Sequence, residues 1–149
     1  MVMLKNIPRV LSPDLLSVLA RMGHGDEIVL ADANFPSAST AKAGPELIRA
    51  DGHGCMEILK GVLKLLPLDM YVEAPVMLMD PTESDKVKGI KTPIWEEYKA
   101  AVNQSEGKNI SVSLIERFEF YKRAEKAFAV VATGENALYG NIILKKGVL

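Results

Sequence analysis

Met22-Gly23-His24-Gly25-Asp26-Glu27-Ile28-Val29-Leu30-Ala31-Asp32-Ala33-Asn34-Phe35-Pro36 is the stretch on which the reading of this chain turns. Its middle, residues 28–31, is an unbroken apolar run closed on both sides by acids. A strand wetted on one face would alternate, so this run predicts a strand buried on both faces, as in a parallel sheet. A histidine sits between two glycines before the run, and an aspartate ends it. Imidazole titrates near neutral pH and can both give and take a proton, which makes His24 a candidate acid or base; satisfying a helix C-terminus is the plainer use of such a residue. Asp32 could accept two hydroxyl hydrogen bonds from a polyol, or serve as the Asx-turn acid of the loop that follows. Asp26 and Glu27 read equally as solvated loop acids.

Working outward, Ser12-Pro13-Asp14 supplies an N-cap, a first-turn proline and a first-turn acid, and Leu15, Val18, Leu19 and Met22 follow at helical spacing. The helix is expected to end at Gly23, in the left-handed position after the last turn, leaving His24 on a loop. A second apolar run, residues 75–79, ends at Asp80; between the two runs, residues 47–51 suit a strand and Leu59, Val62, Leu63 and Leu66 a helix stopped by Pro67. Residues 80–93 are rich in charge, proline and glycine and read as a solvated loop. Thr92-Pro93 starts a helix with Ile94, Tyr98 and Val102 on its inner face, and residues 109–115 alternate as a half-buried strand with Arg117 just past it. Residues 118–126 suit a short helix, 127–132 a strand, 133–136 a turn and 141–144 a last strand. About four helices alternating with six or so strands predict one three-layer α/β/α domain over residues 1–149, with a mostly parallel, mixed sheet. Ligands of open sheets bind outside the carboxyl ends of the strands, where Asp32, Arg117 and the segment before Asn141 would project.

Composition narrows the function classes. The chain has 149 residues, 48% apolar and 25% charged, ordinary globular usage that favours neither disorder nor a fibrous architecture. Eighteen basic against nineteen acidic residues leave a formal charge of −1, without the electrostatic footprint of a nucleic-acid binder. No apolar run reaches the roughly 20 residues that span a bilayer, and the first nine residues lack a leader's apolar core and cleavage site. A lone Cys55 makes no internal disulfide, so a reducing, cytoplasmic setting is expected.

Among the remaining candidates, His53 also lies between glycines, but neither an H-x-x-x-H face nor a C-x-x-C pair accompanies it or Cys55, so no metal site is expected and His53 reads as a turn residue at a helix start. Arg117 could offer a planar fork to sugar hydroxyls; on residues alone a surface ion pair with Glu116 or Glu119 is the simpler use. Tyr139-Gly140-Asn141 could bring a phenol, a closely approaching backbone and an amide to one ligand, although a hairpin turn uses the same residues, and Tyr121 is a further polar group near an element end. The seven methionines suit core filling and Trp95 a helix anchor. With no G-x-G-x-x-G after a strand, no Walker A loop and no G-x-S-x-G elbow, the hydride-transfer, phosphoryl-transfer and serine-hydrolase classes lose weight.

Read in order, Leu11-Ser12-Pro13, Gly23-His24-Gly25-Asp26-Glu27-Ile28, Asp32 with Phe35-Pro36, Ile48-Arg49-Ala50-Asp51-Gly52, Arg117-Phe118-Glu119-Phe120-Tyr121, Lys126-Ala127-Phe128-Ala129, Thr133-Gly134-Glu135 and Tyr139-Gly140-Asn141 resemble the sugar mutarotase family that contains L-fucose mutarotase and D-ribose pyranase. The likeness covers nearly the whole chain and is nearest the animal form of the fucose branch; the ribose branch lacks the Arg-Phe-Glu-Phe-Tyr segment. It departs from bacterial fucose enzymes at Asn34, where they often have histidine, and in a longer 80–93 loop. The resemblance implies a cofactor-independent isomerase that interconverts sugar anomers. It implies His24 as proton donor and Asp32, Arg117, Tyr139, Gly140 and Asn141 as sugar-binding residues; the ring-opening chemistry adds Tyr139 or a bound water as proton relay. It also implies a monosaccharide as the small-molecule partner, and a homo-oligomer. A fucose-binding or regulatory protein without turnover, and a mutarotase or pyranase acting on ribose or galactose, are the alternatives.

Overall fold

Ser12 opens the first helix as its spacing predicts: its hydroxyl accepts the Leu15 amide proton at 3.1 Å, and α1 (Pro13–Arg21) buries Leu15, Val18 and Leu19. The structure, a computed structural model, describes residues 3–149; Met1 and Val2, the start of the stretch read for a leader, lie outside the described residues. Next come β1 (Glu27–Ala31), α2 (Ser37–Ala41), β2 (Glu46–Ala50), α3 (Cys55–Leu63), β3 (Val76–Met79) and α4 (Glu83–Val87). The chain ends with α5 (Ile94–Glu106), β4 (Val112–Ile115), α6 (Arg117–Ala124), β5 (Ala129–Thr133) and β6 (Ile142–Lys145).

The six strands form one sheet in the order β2-β5-β1-β6-β3-β4. The pairs β2–β5, β1–β5 and β3–β4 are parallel, while β6 runs antiparallel to both its neighbours, β1 and β3. Five strands therefore point one way and one against them, the mixed, mostly parallel sheet expected of the apolar runs. Ile28 and Leu30 of β1 pack with Val76 and Leu78, Val131, and Ile142 and Leu144 beneath α1, α3 and α5. Val29 and Ala31 point to the other face, where they join Met77, Met79, Val130 and Ile143 under Phe35 and the Phe120 and Ala124 side chains of α6. Burial on both faces is why β1 shows no alternation.

The structure corrects three local expectations. Gly23 does not take the left-handed conformation: α1 ends with Met22 in extended geometry, the Gly23 amide donates to Asp26 Oδ2 at 2.7 Å, and Gly25 makes the sharp bend at φ 89°. Among the described residues six helices form rather than about four. The extra two are five residues each, and α4 buries none of them, so neither leaves a periodic apolar trace. Several element ends shift by a few residues: α3 stops at Leu63, short of Leu66 and Pro67, and β4 starts at Val112 rather than Asn109.

Candidate functional site

Because β6 runs against β1 and β3, the residues that lead into it meet the residues that leave them. Leu30 and Leu78 both lie opposite Ile142, so Asp32, one step past β1, comes alongside the 139–141 turn. The contact is tight. Asp32 N–H donates to Asn141 Oδ1 at 2.8 Å, Gly140 N–H donates to Asp32 Oδ2 at 3.2 Å, and Asn34 N–H donates to Asp32 Oδ1 at 3.0 Å. Burial pushes the Asp32 carboxyl upward, and the amides of Asn34 and Gly140 with the Asn141 side chain oppose that by favouring the charged form.

A cavity of about 430 Å³ opens over these groups. Phe35 and Met79 give it apolar walls, Asp32, Asn34 and Asn141 line one side, and Arg117 and Tyr121 of α6 another. Arg117 does not form the ion pair offered as its alternative. Glu116 instead caps α6 by accepting the Phe118 and Glu119 amides, and Glu119 pairs with Lys122. The Arg117 Nε donates to the Tyr121 hydroxyl at 3.0 Å, and its guanidinium lies over the Phe118 and Tyr121 rings, 5.5 Å from each centroid. That contact raises the Arg117 pKa further and holds a permanently charged fork at the cavity rim.

Tyr139 is held on every side. Its φ of 55° is a left-handed conformation that non-glycine residues seldom adopt, a local strain of the kind that clusters at binding sites. Trp95 Nε1 donates to its carbonyl at 2.9 Å, so the tryptophan anchors this turn as well as its helix. The phenol oxygen accepts the Thr82 amide at 3.1 Å, and the phenol proton is donated to Asp85. Below, the buried Tyr98 hydroxyl donates to the Gly140 carbonyl at 2.7 Å. Burial pushes the Tyr98 hydroxyl far above its ordinary range and the Cys55 thiol up to about 12, so neither is a proton donor or nucleophile near neutral pH.

His24 is elsewhere. It precedes β1 whereas Asp32 follows it, and a five-residue strand separates its ends by about 16 Å at roughly 3.3 Å per residue. The two residues therefore cannot serve one cavity within a single chain. His24 Nε2 lies 3.0 Å from Asp69 Oδ1, and the Asp69 side chain is only 3% exposed. The Tyr71 amide donates to the same oxygen at 3.0 Å and, with the His24 contact, holds the Asp69 carboxyl below the usual carboxylate range against the effect of burial. The Tyr71 ring stands 5.4 Å from the imidazole and is 79% exposed. His53 does sit at a helix start, beside Glu57 of α3 at 3.1 Å, and among the described residues no group of three or more His, Cys, Asp or Glu could hold a metal.

The structure thus gathers Asp32, Arg117, Tyr139 and Asn141 at one cavity, places Gly140 behind its wall with its N–H on Asp32 and its carbonyl on Tyr98, and leaves His24 at the opposite end of the sheet. The sequence reading missed Thr82, Ser84 and Asp85, which complete the wall. The signal was present as Thr82-x-x-Asp85, the pattern of a capped helix start. It also missed Asp69, which lies in an irregular stretch with no pattern to reveal it. A wider hollow of about 570 Å³ lies beside α6, but its central charges are spent on each other: Arg123 grips Glu27 at 2.7 and 2.9 Å.

Residues 5–149 match the RbsD / FucU transport protein family. The chain is 63% identical to a fucose mutarotase of Mus musculus and 60% identical to one of Homo sapiens, over all of its 149 residues and 97% and 96% of theirs. It is similar to the crystal structure of the fucose mutarotase in complex with L-fucose from Streptococcus pneumoniae, with TM-score 0.89 and 47% identity, covering 98% of this chain and 99% of that one.

Proposed function

The chain belongs to the RbsD / FucU transport protein family, and from that membership and the cavity we propose that it interconverts the α and β anomers of L-fucopyranose by general acid–base ring opening and reclosure. One observation carries the reading. A single cavity presents a buried carboxylate, a fixed guanidinium, a phenol and an amide, a set suited to a monosaccharide's hydroxyls and ring oxygen. Asp32 and Arg117 fix the pyranose by its hydroxyls, and Asn141 presents its amide to the ring or anomeric oxygen, while Gly140 holds the Asp32 carboxylate in place through its N–H.

Opening the ring needs a proton delivered to the ring oxygen and one removed from the anomeric hydroxyl; rotation about C1–C2 and reclosure then give the other anomer. The reaction is redox-neutral, and side chains supply both acid and base, so no step runs through a metal or cofactor. Mutarotation already proceeds in water, and one positioned acid–base pair contributes on the order of 10²–10⁴-fold. His24, oriented by Asp69, is the donor. Since it stands at the far end of β1, a second copy of the chain supplies it, and the active form is a homo-oligomer with the cavity at a subunit contact. The exposed Tyr71 ring and the 42% exposed Met70 beside the His24–Asp69 pair support such a contact. No described helix is long and apolar enough to cross a membrane, in keeping with the cytoplasmic setting we propose.

Saturation-transfer proton NMR tests the reading. Irradiating one anomeric proton of L-fucose should transfer saturation to the other only with enzyme present, with D-ribose and D-galactose as controls. His24→Ala and Arg117→Ala should each abolish exchange without unfolding, and subunit-exchanged mixtures of the two should regain it. Fucose binding without exchange in the native protein would instead make it a binding protein.

A further inference from the structure

Tyr139 is wired into a helix cap. α4 starts at Thr82, whose Oγ1 accepts the Asp85 amide proton at 3.3 Å, with Asp85 in the third helical position. In an ordinary capping box, the carboxylate at that position turns back onto the cap residue's own N–H. Here the Tyr139 phenol stands between them: the Thr82 N–H donates to the phenol oxygen, and the phenol proton goes to Asp85 Oδ2. A carboxylate that could have closed the box alone is instead held on a phenol at the cavity wall, where both Asp85 and Tyr139 are lining groups.

This wiring fixes the direction of proton flow. A phenol has one proton, and this one is committed to Asp85. Toward the closed sugar, while Asp85 is a carboxylate, Tyr139 can therefore only accept. We propose that Asp85 is the proton acceptor of ring opening, reached through Tyr139, a role that rests on the mutarotase reading above. As the anomeric O–H gives its proton to the phenol oxygen, the phenol gives its own to Asp85 Oδ2. The bond between C1 and the ring oxygen breaks, C1 becomes the aldehyde carbonyl, and the ring oxygen takes the proton from His24. Reclosure on the other face reverses each transfer, leaving Asp85 a carboxylate and His24 reloaded, so no proton is gained or lost over the cycle. In this scheme Asp85 acts through Tyr139.

Asp85→Asn separates this from a loop anchor, because its side-chain oxygen still accepts the phenol hydrogen bond but cannot take up the proton. Anomer exchange at saturating L-fucose should fall by about 10²-fold or more, with fucose binding by NMR titration and the circular dichroism spectrum retained. Asp85→Glu should recover part of the rate, and adding Asp85→Asn to Tyr139→Phe should slow exchange no further. Native-rate exchange in Asp85→Asn, or a rate that falls only in step with lost fucose binding, overturns the proposal while leaving the mutarotase reading intact. Absence of exchange in the native protein removes both.

Discussion

Tyr98→Phe isolates one buried hydrogen bond beneath the site. The ring is 1% exposed and packs in the main core, and its hydroxyl donates to the Gly140 carbonyl at 2.7 Å. Phenylalanine keeps the packing and removes only the donor. Gly140 is itself buried, so its carbonyl loses a partner that water does not readily replace. A neutral hydrogen bond contributes about 0.5–1.5 kcal/mol net, and an orphaned buried acceptor costs about 1–3 kcal/mol, so the change should destabilise by about 2 kcal/mol. For a chain of this size, that lowers the melting temperature by about 4–8 °C. The effect should also reach the sugar, since the same glycine donates its N–H to Asp32: a loosened 139–141 turn weakens fucose binding along with stability. Urea unfolding at matched protomer concentration, with fucose titration of the folded variant, measures both. A loss below about 0.5 kcal/mol, the range of a neutral surface change, would refute the view that Tyr98 holds the turn.

Two further predictions concern the two ends of the sheet. At Gly140, an added Cβ would lie 3.0 Å from the Ala137 carbonyl oxygen and 3.2 Å from Glu135 Cγ. Gly140→Ala should therefore cost about 1–3 kcal/mol by overpacking and weaken fucose binding, read by the same unfolding and titration experiments. At the other end, the Tyr71 amide and His24 depress the Asp69 carboxyl, so its contribution to stability is present above the unfolded carboxylate value of about 3.9 and is lost as pH falls through the lower, folded value. Asp69→Asn should be less stable than the native chain near neutral pH, and the gap should close as pH drops below about 4; unfolding curves across that window decide it.

Much of this architecture is legible in local sequence because burial leaves a pattern. The 28–31 run lacks alternation, and Ile28 and Val29, on opposite faces, are both fully buried. Ser12 and Pro13 announce α1 by cap chemistry that needs no tertiary context. Asp32, Arg117 and the 139–141 segment could be assigned to one end of the sheet because strand ends are readable even where strand partners are not. What is hidden depends on contacts distant in sequence. The place of β6 between β1 and β3 follows from pairing choices that no local pattern encodes, and Asp85 lies in a short polar helix indistinguishable from loop without its cap. The separation of His24 from Asp32 follows from strand length once β1 is accepted, so the sequence already held the argument that the two cannot meet within one chain.

The position of β6 also has a consequence for biosynthesis. β1 and β3 never touch as a pair, so the β2-β5-β1 and β3-β4 halves of the sheet are joined only through this last strand. A nascent or truncated chain ending before Asn141 would leave two apolar strand edges unpaired, the Asp32 amide without Asn141, and the Gly25 amide without the Lys146 carbonyl it bonds at 2.8 Å. The cavity and the histidine loop would thus become ordered together, and only after the other five strands have been synthesised. Such a long-range closing step favours slow, all-or-none folding and makes small C-terminal deletions more damaging than their length suggests.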